Sequence, residues 1–94
     1  MRPFTMRLAL LVARRKTKKD DMCSAEQDGA ITTIIRSRKG LDELCTVVDE
    51  YAAASGERMG SFQDILSWII ENWDTILEMI MAIIGLFALD EDHG

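Results

Sequence analysis

The amino-acid sequence predicts an all-α protein, and three observations carry that class. Apolar residues return at three- and four-residue steps through 41–52 and again through 62–87, the period of a helix face. Ser24 and Ser61 stand three residues ahead of Gln27 and Asp64, the spacing of an N-terminal cap. Six methionines, few aromatics and a mean hydropathy of +0.01 suit a helical protein. The expected arrangement is a set of short helices followed by one long C-terminal helix that passes from amphipathic to hydrophobic. An αα-hairpin is one version of it, and the N-terminal arm is expected to be disordered.

A chain of 94 residues holds at most one small domain. Its net charge of −5 is an average over unlike pieces. Residues 1–19 carry seven cations and no acid, residues 20–58 carry four cations and nine acids, and residues 59–94 carry seven acids and no Lys or Arg. The predicted organisation follows those pieces: a basic arm over 1–23, short helical segments and a linker over 24–58, and a long helix with an acidic tail over 59–94.

In the arm, the apolar run 8–13 has six members, follows Arg7 and ends in Arg14, Arg15, Lys16, Lys18 and Lys19. A secretory signal has its cations first and a longer apolar stretch, so export through this segment is not expected. The basic patch reads first as a solvated tail, and second as a contact for nucleic acid or anionic lipid. With no aromatic interleaved in the patch and no DNA-binding motif beside it, the solvated tail is the favoured reading and nucleic acid is not an expected partner.

A short helix begins at the Ser24 cap. Gly29 and the β-branched run 31–35 weaken it, whereas Ile31, Ile34 and Ile35 fall on one helical face. Gly40 is expected to end it as a C-cap. From Leu41, the residues Leu44, Cys45, Val48, Tyr51 and Ala52 form the apolar stripe of an amphipathic helix reaching about Ala54. Cys45 on that stripe reads as a small buried hydrophobe. Cys23 and Cys45, 22 residues apart with no CxxC pair, fit a reducing compartment.

The C-terminal segment is the most informative. Phe62, Leu66, Ile69, Trp73, Ile76, Ile80, Ile83 and Phe87 step by four and three, as the a and d positions of a heptad do. They are the expected helix-packing and oligomer seam. Asp64, Glu71, Asp74 and Glu78 form a polar stripe away from it, and every residue from Met79 to Leu89 is apolar or Gly85. Trp68 is expected at a rim. The 28 residues from Phe62 to Leu89 would span about 42 Å as one helix, against about 21 Å for Leu41 to Ala54. A single hairpin partner would leave the tip from Ile76 onward bare, and a bare apolar tip requires a membrane, another subunit or a partner protein.

Spanning a bilayer is marginal for one chain. Glu78 would sit near the centre at a cost on the order of 3 kcal/mol, against gains of ~0.3 to 0.6 for each Ile, Leu or Phe. A bundle whose Glu71 and Glu78 face a wet lumen would do better.

Enzymatic chemistry is not expected. His93 is the only histidine, so no His/Cys set completes a zinc site, and no cofactor fingerprint is present. Asp90, Glu91, Asp92 and His93 read as a solvated tail. Gly56-Glu57 ahead of Met59 makes Met59 a candidate internal start. The expected function is that of a small non-enzymatic, membrane-associated helical protein that self-associates through its C-terminal helix, as a pore in one version. The rival is a cytoplasmic adaptor or regulator that docks the same helix on a partner protein while its basic arm touches nucleic acid.

Overall fold

The computed structural model describes the backbone of residues 1–20 and 24–91, with side chains up to residue 86. The all-α class holds: α1 (Pro3–Lys19), α2 (Ala25–Arg36), α3 (Arg38–Ala54), α4 (Phe62–Glu71) and α5 (Trp73–Glu91), with no strand among the described residues.

Over Pro3–Lys19 the N-terminal arm is a helix, which corrects the expectation of disorder there. Pro3 stands at its first turn, where the missing N–H costs nothing. Met6, Ala9, Leu10, Ala13 and Thr17 form one fully covered face. Thr17 belongs there because its hydroxyl donates back to the Ala13 carbonyl at 2.9 Å. Met6 and Leu10 together with the small residues Ala9, Ala13 and Thr17 at helical spacing, rather than the length of the apolar run, give α1 its buried side. Lys16, Lys18 and Lys19 lie in the last turn, where the helix dipole favours cations.

The capping box of α2 forms as its sequence predicts: the Gln27 N–H donates to Ser24 Oγ at 3.1 Å and the Ser24 N–H donates to Gln27 Oε1 at 2.9 Å. Thr32 and Thr33 are accommodated by hydroxyls that donate to the carbonyls of Asp28 and Gly29. The helix ends earlier than expected. Ser37 closes α2 through its N–H to the Ile34 carbonyl and opens α3 by accepting the Gly40 N–H on its Oγ. Gly40 is therefore in the first turn of α3, not a C-cap, and it is buried in close approach to Ile34.

Helix α3 ends in a Schellman arrangement. The Gly56 N–H reaches the Ala53 carbonyl and the Glu57 N–H reaches the Ala52 carbonyl, with Gly56 at φ +74°. The long C-terminal helix of 62–89 is not continuous. At Asn72 (φ −107°, ψ 31°) it divides into α4 and α5. The Asn72 carboxamide donates to the Trp68 carbonyl at 2.9 Å, the same oxygen that its backbone N–H reaches at 2.9 Å, so a polar side chain adds a second donor to the backbone acceptor at the break.

The division lets the two halves take different partners. Helices α2 and α3 pack on each other and form a central layer; α1, with α4 on it, covers one side, and α5 covers the other. The tip of the C-terminal segment is therefore not left bare by a single hairpin partner, contrary to expectation. Two helices lie along α5, and Ile76, Ile80 and Ile83 are buried between them. Among the described residues, no helix is long and apolar enough to cross a membrane.

Candidate functional site

The seam is the core of the chain itself. Leu66 and Ile69 from α4, and Trp73, Ile76, Ile80 and Ile83 from α5, are all buried, while Phe62 is 39% exposed. The Phe87 side chain lies outside the described residues, as do Cys23 and the side chains of the acidic tail. Trp68, expected at a rim, is buried with its ring 5.7 Å from Tyr51 in an edge-on contact. Trp73 keeps its indole N–H buried without a partner among the described residues.

The polar stripe of Asp64, Glu71, Asp74 and Glu78 is exposed. On α5 the same outer face changes character after Glu78. Met81 is 39% and Leu86 71% exposed, and Ala82 and Gly85 are exposed beside them. Asp74, Glu78 and Met81 border a shallow depression of about 470 Å³ against Gln27 of α2.

The basic patch does not act as one unit. Arg14 turns onto Asp28 of α2 in a bidentate pair, Nε to Oδ1 at 2.6 Å and Nη2 to Oδ2 at 2.9 Å. That hydrogen bond holds the Asp28 carboxyl below the ordinary value of 3.8, with the charges of Arg14 and Lys18 acting in the same direction against partial desolvation. Arg15, Lys16, Lys18 and Lys19 stay exposed.

The outer face of α1 also carries residues that sequence reasoning passed over. Phe4 is 69%, Leu8 40% and Leu11 38% exposed. Where the start of α1 meets the corner between α2 and α3, a cleft of about 350 Å³ is lined by Pro3, Phe4, Arg7, Ile35, Arg36, Arg38 and Leu41. Three arginines from two distant parts of the sequence, Arg7 and the pair Arg36 and Arg38, line it, and none of its lining residues is an acid. Lys39 is exposed next to Arg38. The available signal was Arg36, Arg38 and Lys39 standing together in an otherwise acidic segment.

Guanidinium groups over an apolar floor suit a phosphate or carboxylate attached to a greasy body. Nothing in the cleft is a nucleophile or a general base. Among the described residues, no group of His, Cys, Asp and Glu is placed to hold a metal ion. Cys45 is buried, and burial above all, with Asp49 and Asp42 adding to it against the pull of the N-terminal amine, raises its thiol to about 11. Such a thiol is protonated at neutral pH and a poor nucleophile. The Met1 amine pairs with Asp49 at 2.6 Å, and Met59 lies between α3 and α4, partly buried against the core. No protein-family model, curated protein or solved structure matches this chain.

Proposed function

We propose that this is a small non-enzymatic helical protein that associates with anionic membrane surfaces, and that the contact is made by the arginine cleft at the start of α1. The observation that carries the reading is Phe4, 69% exposed beside a cleft lined by Arg7, Arg36 and Arg38 with no acid. An aromatic ring that enters the headgroup region while cations meet lipid phosphates is how interfacial helices bind. The C-terminal helix is less suited to that contact. Its exposed charges are acidic, and anionic lipid would repel them.

The rival reading, an adaptor whose basic arm touches nucleic acid, has less support. Phe4 lies at the opposite end of α1 from Lys16, Lys18 and Lys19, so no ring alternates with those cations to stack on bases.

Co-sedimentation with vesicles tests the reading. Binding is expected to vesicles containing phosphatidylglycerol and not to pure phosphatidylcholine. At about 1 kcal/mol per cation near such a surface, Arg36→Gln with Arg38→Gln should weaken binding roughly 30-fold, and Phe4→Ala should weaken it further. Equal binding to both vesicles, or none to either, overturns the reading.

A further inference from the structure

Helices α1 and α5 make no contact with each other among the described residues, and the α2–α3 layer lies between them. Their outer faces therefore point to opposite sides of the molecule. Each is divided along its length, and the divisions are complementary. The α1 face runs from apolar to basic: Leu8, Leu11, Arg15, Lys19. The α5 face runs from acidic to apolar: Asp74, Glu78, Ala82, Gly85, with exposed Met81 and Leu86 flanking the apolar half.

The spacings agree as well. From Leu8 the α1 positions step by three, four and four, and from Gly85 backwards the α5 positions step by three, four and four. Laid antiparallel, one face sets Leu8 opposite Gly85, Leu11 opposite Ala82, Arg15 opposite Glu78 and Lys19 opposite Asp74. Small residues on α5 face large ones on α1, which lets the backbones come near while the charges pair at the other end.

We infer that the α1 face of one copy docks antiparallel on the α5 face of a second copy. The contact is heterologous. Because the two faces lie on opposite sides, one partner cannot occupy both, so assembly proceeds head to tail into chains or rings rather than stopping at a two-fold dimer. The inference stands apart from the membrane reading: it uses Leu8, Leu11, Arg15 and Lys19 rather than the arginine cleft, and it needs no lipid.

Sedimentation velocity of the full chain without lipid or detergent tests it. Wild type is expected to form species of three or more copies as concentration rises at low salt, and to lose them near 1 M salt, where the screening length falls to about 3 Å. Arg15→Glu with Lys19→Glu, and separately Asp74→Lys with Glu78→Lys, should each weaken self-association roughly 100-fold by placing like charges opposite each other. All four positions are exposed, so folding should persist by circular dichroism. An equimolar mixture of the two variants should assemble again, because every contact between them pairs opposite charges. A wild type that is monomeric throughout, a reversal variant that assembles normally, a mixture that stays monomeric, or growth that stops at a dimer overturns the inference. None of these outcomes bears on vesicle binding by the arginine cleft.

Discussion

Gly40 lies so close to Ile34 that a Cβ on it would come within 2.7 Å of the Ile34 Cδ1, and within 3.1 Å of Ser37 Oγ. The one-residue joint between α2 and α3 depends on that approach. Ile34 is 1% exposed and has little room to turn aside. Gly40→Ala gains up to ~1 kcal/mol of helix propensity but overpacks the corner by about 1 to 3 kcal/mol. Urea denaturation should show a net loss near 1 kcal/mol. Ile34→Val, which removes the Cδ1, should cost less in the Gly40→Ala background than in wild type, a coupling that a double-mutant cycle measures directly.

The pair between Arg14 and Asp28 makes a prediction with a definite sign. The folded Asp28 carboxyl titrates below its ordinary value of 3.8, so its stabilising contribution is present above that value and is lost as pH falls through the folded one. Asp28→Asn should therefore be less stable than wild type at pH 7. The two urea midpoints should converge as pH drops below about 4. A difference that persists unchanged at pH 2 would assign the effect to packing instead.

Cys45 makes the opposite prediction, on the alkaline side. Its thiol titrates near 9.0 when unfolded and about 11 when folded, so the associated stability is present below pH 9.0 and disappears as pH rises toward 11. The loss should be about 3 kcal/mol at most and should be missing from Cys45→Ala. In the native protein at pH 8, a thiol reagent should modify Cys45 only through unfolding, at a rate that rises with urea.

The seam and the acidic stripe can be separated by stability alone. Ile80 is fully buried, and Ile80→Ala should cost about 2 to 5 kcal/mol, a large part of the ~5 to 15 kcal/mol that holds such a domain folded. Glu78, one turn-edge away and exposed, should tolerate Glu78→Lys within ~0.5 kcal/mol. If both substitutions proved silent in the monomer, the seam would not be its core.

Local signals were legible in the sequence wherever a side chain acts on its own backbone. The caps at Ser24 and Ser61 form the predicted bonds, and the stripe from Leu41 to Ala52 is buried at all its expected positions except Tyr51. The period of Leu66, Ile69, Trp73, Ile76, Ile80 and Ile83 correctly marked which side of that segment is apolar. Where a short polar residue interrupts a strong pattern, the spacing does not show the break: Asn72 lies between seam positions Ile69 and Trp73, its side chain and its backbone N–H both donate to the Trp68 carbonyl, and α4 and α5 pack on different helices on either side of it. Helix α1 was missed because Ala9, Ala13 and Thr17 are weakly hydrophobic, and their burial has meaning only once α3 and α4 lie over them.

Taken alone, the sequence determined the helical class, the apolar faces and the segregation of charge, because these follow from chain-local spacing and composition. What those faces meet is set by how the five helices pack. Filling the seam from within the chain takes three helices, α1 on its α4 half and α2 and α3 on its α5 half, whose joint action no periodicity encodes. The same packing draws Arg7, Arg36 and Arg38 to one cleft and turns the basic face of α1 and the acidic face of α5 outward on opposite sides. Burial is a property of pairs of surfaces, and the sequence lists the surfaces without stating the pairs.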